Sequence, residues 1–156
     1  MTTAQAGHML EQAQWAARAF ADYDVAAVQR IVTAVADVAY AKAEEYAEWA
    51  VRETEMGVVA DKVTKNQACS RGLLDFYAGQ DFVSPRNHAP RKIAELPRPA
   101  GVVLAITPTT NPVASVYFKV LLCLMTRNAL VVPPRPRAKE CCADPARPLA
   151  RAAEAA

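Results

Sequence analysis

Residues 101–119, GVVLAITPTTNPVASVYFK, contain the pattern that decides the fold. The first six residues, GVVLAI, form an uninterrupted apolar run, which is typical of a strand covered on both faces. The next six, Thr107–Pro112, include two prolines and predict a stiff turn. A helix is expected from about residue 113 to residue 125, because apolar residues recur there at helical spacing.

A second buried strand is predicted at Ala129–Val132, ALVV, after a short turn at residues 126–128. A strand, a helix and a strand at this length form a βαβ unit, whose crossover should be right-handed. Two strands do not make a stable parallel sheet by themselves. The predicted fold class is therefore α/β, with a sheet that is incomplete.

Three helices are predicted in residues 1–80, a region rich in alanine and free of proline. The first, near residues 10–20, should pack antiparallel against the second, a helix of roughly 30 residues that starts at Val25. Gly57 marks a break before the third, which should end near Gly79. The third helix is expected to expose Asp61, Lys62 and Lys65 and to direct inward Leu73, Leu74, Phe76 and Tyr77.

Composition divides the chain into three regions. Residues 1–80 form the helical N-terminal region, and residues 81–100 hold four prolines and predict a linker with an extended edge strand. Residues 101–156 carry the partial βαβ unit and an irregular C-terminal helix. Pro145 and Pro148 should interrupt that helix, because a proline costs about 3 kcal/mol inside one.

The overall balance of residues excludes several classes of partner. The chain is 53% hydrophobic and 22% charged, with a formal net charge of +2, which is typical of a soluble globular protein. Basic residues are not clustered with aromatics, so no nucleic acid is expected. Neither a membrane span nor a secretory signal is recognised, so a cytoplasmic location is expected.

Cysteine and histidine residues do not suggest a metal site. The cysteines show no C-x-x-C spacing, and His8 and His88 stand alone. We expect free thiols, with Cys69 and Cys123 on buried helix faces and Cys141 and Cys142 about 100° apart on the last helix.

The turn Thr107–Pro112 is the candidate site. Ligands of an open parallel sheet bind at the carboxyl ends of its strands, and this turn occupies such an end. Thr110 or Asn111 could cap the following helix, whose N-terminus favours a negative group. Neither a GxGxxG nor a Walker A loop is present. A capped turn without a ligand is the alternative that these residues leave open.

Two separate segments resemble the acylating, coenzyme A-dependent branch of the aldehyde dehydrogenase superfamily. Residues 107–112 read TPTTNP, and FK, LMTRN and PPRPRAK follow at the spacing typical of that branch. Upstream, residues 53–66, ETEMGVVADKVTKN, are similar to the family's E-T-G-x-G-x-x-x-D-K-x-x-K-N. The resemblance covers about residues 24–139. Hydrolytic aldehyde dehydrogenases carry P-W-N-F-P at the turn, so the turn favours the acylating branch.

The resemblance implies a helical layer followed by the first βαβ of a Rossmann-like cofactor domain. It implies NAD or NADP as hydride acceptor, coenzyme A as co-substrate, a small aldehyde as substrate, and a homo-oligomer for a full-length family member. Thr110 or Asn111 would donate to the developing oxyanion. Arg135 could favour a 2′-phosphate or be an ordinary surface residue. The residues expected to line the coenzyme are Ile106, Thr107, Pro108, Thr109, Pro133, Pro134 and Arg135.

The resemblance also places the family's nucleophilic cysteine in a separate domain, and none of the four cysteines here matches it. We therefore expect this chain to be an N-terminal portion of such an enzyme, without dehydrogenase turnover when it is alone. Two other functions stay open. One is a non-catalytic helical module that binds a partner, and the other is a fragment of a hydrolytic aldehyde dehydrogenase.

Overall fold

The computed structural model describes residues 2–156, and helices form the first half of that part of the chain. Thr2 caps the first helix through a capping box with Gln5, and Asp24 caps the second by accepting from the Ala27 N–H at 2.8 Å. The helices are α1 (Thr3–Phe20), α2 (Val25–Ala41), α3 (Ala43–Thr54), α4 (Val59–Ala68) and α5 (Arg71–Phe76).

The prediction of three N-terminal helices is wrong, because two of them are broken. Lys42 leaves the helical region with φ −97° and ψ 10°, which separates α2 from α3. Ser70 separates α4 from α5, and its buried hydroxyl donates to the Asn66 carbonyl at 2.8 Å. Serine favours such breaks because its side chain competes for backbone groups.

Two small sheets follow. Strands β1 (Arg86–His88) and β2 (Ile93–Glu95) form an antiparallel hairpin across the 3-10 turn Ala89–Arg91. Strands β3 (Val102–Leu104) and β4 (Ala129–Val131) pair in parallel. The predicted edge strand is thus the second strand of a hairpin.

The predicted βαβ unit is confirmed. Helix α6 (Pro112–Met125) connects β3 to β4, and Val102 lies opposite Ala129 in the register. The Asn128 side chain aligns the two strands, because its Oδ1 accepts from the Gly101 N–H at 2.8 Å. A 3-10 turn at Pro136–Ala138 then leads into helix α7 (Lys139–Ala155).

The expectation that the first strand is covered on both faces is wrong. Ala105 and Thr107 are buried, whereas Leu104 and Ile106 are 64% and 58% exposed. Because side chains alternate along an extended chain, one face is packed and the other is open to solvent. No element of residues 2–156 covers the open face.

Helix α1 does not form the predicted antiparallel pair with α2. It lies instead against β4 and β3, and Ala17 is its buried residue. Arg127, in a left-handed conformation after α6, donates from Nη1 to the Ala21 carbonyl at 2.6 Å and the Tyr23 carbonyl at 3.3 Å. This contact ties the α1–α2 link to the end of α6.

The predicted interruption of the C-terminal helix is also wrong, because α7 continues through Pro145 and Pro148. Cys141, Pro145 and Leu149 are buried at a spacing of four residues, so the Pro145 ring is part of the packed stripe of α7. Packing of this stripe against α2 and α6 compensates for the missing backbone donors.

One core joins α2, α3, α5, α6 and α7. Leu73 is buried in it as predicted, but Phe76 is 74% exposed and does not point inward. Phe76 instead makes an edge-to-face contact with Tyr77, with the ring centroids 4.9 Å apart. Other core residues include Val28, Val35, Val113, Val116, Leu121, Cys141 and Leu149.

Candidate functional site

The predicted turn lies where the carboxyl ends of β3 and β4 meet. The Ala105 N–H donates to the Val131 carbonyl at 2.9 Å, which keeps the two strands side by side beyond the end of β3. Residues 106–111 leave the sheet on one strand and residues 132–135 on the other. This edge is where ligands of open parallel sheets bind.

The start of the turn is anchored to the protein interior. Thr107 is fully buried, and its Oγ1 lies 3.6 Å from the Cys142 Sγ in α7. Lys119 of α6 donates from Nζ to the Ile106 carbonyl. The Thr107 side chain is therefore held against α7, whereas the Ile106 side chain faces solvent.

The end of the turn is open. Pro108 and Thr110 are exposed, and Thr109 and Asn111 are half-buried. Asn111 occupies the N-cap position of α6, but its side chain makes no capping hydrogen bond, so the predicted cap is absent. The Thr110 hydroxyl and the Asn111 amide have no hydrogen-bond partner within residues 2–156, which leaves both able to bind a ligand.

Lys62 of α4 contacts the turn. The prediction that this lysine is exposed is wrong. Only 5% of the residue is accessible, and its Nζ donates to the Thr110 carbonyl at 2.7 Å. Burial and, secondarily, the nearby Lys65 lower the pKa of Lys62. The bond joins the helical region directly to the candidate site.

Gly57, before α4, lies beside the Lys62 side chain. Gly57 has φ +78°, and a Cβ at this position would lie 3.4 Å from the Lys62 Cε. Lys62 and Asn111 both line a cavity of about 10 Å³. Glycine is suited to this position because it adopts a positive φ without strain.

Glu53 connects the same upstream segment to the C-terminal helix α7. Its carboxylate accepts from the Glu140 N–H at 2.9 Å and the Cys141 N–H at 2.8 Å, at the start of α7. A carboxylate is favoured there by the unpaired N–H groups and the helix dipole. Glu53 therefore caps a helix that is far away in sequence.

Sequence reasoning missed the structural roles of Glu53, Lys62 and Lys119. All three lie within the motifs on which the resemblance rests, at ETEM, DK and FK. Their positions within those motifs were the only sign in the sequence that these residues have a role. A motif does not reveal, however, which carbonyl or N–H a long side chain reaches.

Three of the residues predicted to line the coenzyme follow β4. Pro133 and Pro134 are half-buried and Arg135 is exposed. The Arg135 guanidinium makes no ion pair in the part of the chain that the structure describes. Its charge is therefore available to an anion.

All four cysteines are free thiols. Cys123, Cys141 and Cys142 are buried, and Cys69, at the end of α4, is half-buried. Burial raises the pKa of Cys69 and of Cys123. The Cys142 side chain, burial and the Glu53 carboxylate raise the pKa of Cys141. Hydrogen bonds with the Cys141 and Thr107 side chains lower the pKa of Cys142, but this thiol is buried. Burial, together with the raised pKa of the other three thiols, disfavours nucleophilic thiolates.

Between residues 2 and 156, no cluster of three or more metal-binding side chains is present. No helix in that range has the length and apolar character required to cross a bilayer.

The sequence profile described as "Aldehyde dehydrogenase family" matches residues 1–153. The chain belongs to this family. The predicted family resemblance is thereby confirmed, and the relatives include enzymes named as acetylating or acylating. The structural matches to aldehyde dehydrogenases confirm the predicted incomplete α/β fold.

Three relatives illustrate the similarity. The succinate-semialdehyde dehydrogenase (acetylating) of Clostridium kluyveri is 35% identical over 133 residues, which are 85% of this chain and 29% of the relative. An acetylating aldehyde dehydrogenase from Geobacillus thermoglucosidasius is 32% identical with a TM-score of 0.92, over 97% of this chain and 34% of that one. An engineered glycolyl-CoA reductase with bound NADP+ is 26% identical with a TM-score of 0.78, over 93% of this chain and 33% of that one. The chain thus spans about a third of these proteins.

Proposed function

We propose that this chain forms part of an acylating aldehyde dehydrogenase, which converts an aldehyde, coenzyme A and NAD(P)+ into an acyl-CoA and NAD(P)H. The observation that carries the proposal is the Pro108–Pro112 turn. It leaves the carboxyl end of β3 beside β4 and presents the Thr110 and Asn111 side chains without internal partners. The acetylating relatives support this branch over the hydrolytic one.

The exposed groups of the turn fit the nicotinamide and ribose end of a dinucleotide. Residues 105–112 contain no glycine, so the backbone lacks the close-approach loop that binds a pyrophosphate in GxGxxG proteins. Ile106 and Pro108 offer apolar surface to a flat ring, and Thr109 offers a hydroxyl. When bound, the coenzyme supplies a hydride acceptor.

The residues after β4 fit the other end of the coenzyme. Pro133 and Pro134 offer apolar surface to an adenine, and the exposed, unpaired Arg135 could bind a 2′-phosphate. Thr107 is assigned a supporting role rather than direct contact, because its side chain is fully buried.

Thr110 and Asn111 are the candidates for stabilising the aldehyde oxygen as negative charge develops on it. The Thr110 hydroxyl and the Asn111 amide are both uncommitted donors at the N-terminus of α6. Such a donor contributes roughly 3–4 kcal/mol of transition-state stabilisation in a dry site. We assign the nucleophile to a segment outside this chain, because Cys123, Cys141 and Cys142 are buried and the half-buried Cys69 has a raised pKa.

We test the proposal by titrating the isotope-labelled chain with NAD+ and NADP+ and recording amide chemical shifts. The amides of residues 106, 107 and 109–111, together with Arg135, should move, whereas those of the distant β1–β2 hairpin should not. Arg135→Gln should weaken the binding of NADP+ more than the binding of NAD+, because the guanidinium is proposed to bind the 2′-phosphate. Shifts spread evenly over the chain, or absent at the turn, would contradict the proposal.

Turnover is the second measurement. The 156-residue chain should form no NADH from an aldehyde and coenzyme A, because it lacks a competent nucleophile. Steady NADH formation by the purified chain would overturn the assignment of the nucleophile to another segment.

The open face of β3 favours a second candidate function. Leu104 and Ile106 are exposed side by side on this face, as expected of a module that binds a partner through an apolar surface. A stable complex with a co-expressed full-length relative, without any coenzyme-induced shift at the turn, would favour this alternative.

A further inference from the structure

Lys62 is the only charged residue within residues 2–156 that is buried. Burying an ammonium group is costly unless a partner compensates for the lost water. The partner here is the Thr110 carbonyl, 2.7 Å from Nζ, in the candidate oxyanion turn. A buried charge is therefore committed to one peptide group of the site.

The orientation of that peptide follows from its geometry. The Thr110 carbonyl and the Asn111 N–H belong to one planar trans peptide, in which the two groups point in opposite directions. Because the carbonyl points inward to Lys62, the Asn111 N–H points away from it. This N–H has no acceptor among residues 2–156.

A charged donor on a carbonyl also changes the electron distribution of the peptide. Linked hydrogen bonds polarise one another, by about 10–30% per bond. The ammonium on the Thr110 oxygen thus strengthens the Asn111 N–H as a donor.

We propose that Lys62 is a positioning residue, which orients and polarises the Thr110–Asn111 peptide so that the Asn111 backbone N–H acts as a further donor on the oxyanion side. The catalytic meaning of this arrangement rests on the proposed function. The arrangement itself rests on the contact between Lys62 and the turn.

The test compares Lys62→Met with Lys65→Met by nuclear magnetic resonance. Lys62→Met removes the ammonium and keeps an apolar stem. Lys65→Met removes the same charge from the exposed next turn of α4, where no bond to Thr110 exists. The backbone amide nitrogen of Asn111 should shift upfield in Lys62→Met, by more than any other backbone amide nitrogen of residues 109–114. Its chemical shift should be unchanged in Lys65→Met. Equal shifts in the two variants, or no shift in either, would overturn the proposal.

A measurement on the unmodified chain covers the case in which Lys62→Met does not fold. A scalar coupling across the hydrogen bond should join the Lys62 Nζ to the Thr110 carbonyl carbon, and its absence would also overturn the proposal. Both measurements are made without coenzyme. A failure to bind NAD(P)+ would therefore count against the proposed function and leave this result standing.

Discussion

Two buried tyrosines differ in whether their hydroxyl groups have partners. Tyr46 is 2% exposed and donates to the Asp144 Oδ2 at 2.8 Å, which joins α3 to α7. Tyr117 is 1% exposed, and its hydroxyl has no partner among the described residues. The same chemical group is therefore stabilising in one place and costly in the other.

Replacing each tyrosine by phenylalanine should separate these effects. Tyr46→Phe should lower the free energy of unfolding by about 1.5–3 kcal/mol, because a bond to a charged acceptor is lost. Tyr117→Phe should leave it unchanged or raise it by up to about 1 kcal/mol, because an unpaired hydroxyl is removed. Urea denaturation measures both, and equal losses in the two variants would contradict the assignment.

At the scale of single residues, the sequence predicted which residues form the turn but not the Lys62 side chain that binds the turn. The prolines and threonines of the turn were recognised from sequence, because their backbone and hydrogen-bonding properties are local. Lys62 was predicted to be exposed, because lysine is rarely buried without a partner, and its partner lies 48 residues away. Such a pairing becomes visible only when α4 and the turn are in place.

At the scale of the elements, α7 contains the clearest conflict with local preference. Pro148 lies in the helix interior and is half-buried, so it removes a backbone donor without the deep packing of Pro145. The helix persists because its other face is packed against α2 and α6.

Pro148→Ala should raise the free energy of unfolding by about 1–3 kcal/mol, because the helix regains a hydrogen bond and loses a steric clash. Pro145→Ala is the matched control, and its gain should be smaller because a buried ring is lost. Denaturant titration checks both variants. A destabilised Pro148→Ala chain would show that the proline stabilises α7.

Elements with strong local signals were predicted well, and those decided by packing were not. The βαβ unit followed from two apolar runs around an amphipathic stretch. The break at Lys42 and the position of α1 against β4 depend on tertiary contacts, including the one from Arg127 to the α1–α2 link. The division of the chain into regions 1–80, 81–100 and 101–156 stays a prediction.

For the whole molecule, the open face of β3 is an exposed apolar surface. Leu104 is 64% exposed on the sheet, and Leu96 is 62% exposed in the segment after β2. The apolar sheet face should promote self-association, because exposed apolar patches tend to become buried against another molecule.

Leu104→Thr should reduce light scattering by concentrated chain, since threonine keeps the strand preference and removes apolar surface. Leu96→Thr removes a similar exposed side chain away from the sheet and should change scattering little. If light scattering falls by a similar amount in both variants, the association depends on exposed apolar side chains in general and not on the sheet face.

The β1–β2 hairpin has a further consequence. Most of its residues are exposed. Val28 and Leu73, which precede the hairpin in sequence, pack in the same core as Val116 and Leu121, which follow it. If a protease cut the Ala89–Arg91 turn, the two fragments would stay associated through this core without a covalent bond. The nick would escape notice in a native gel and become visible in a denaturing one, and the two pieces could be produced apart and mixed to rebuild the fold.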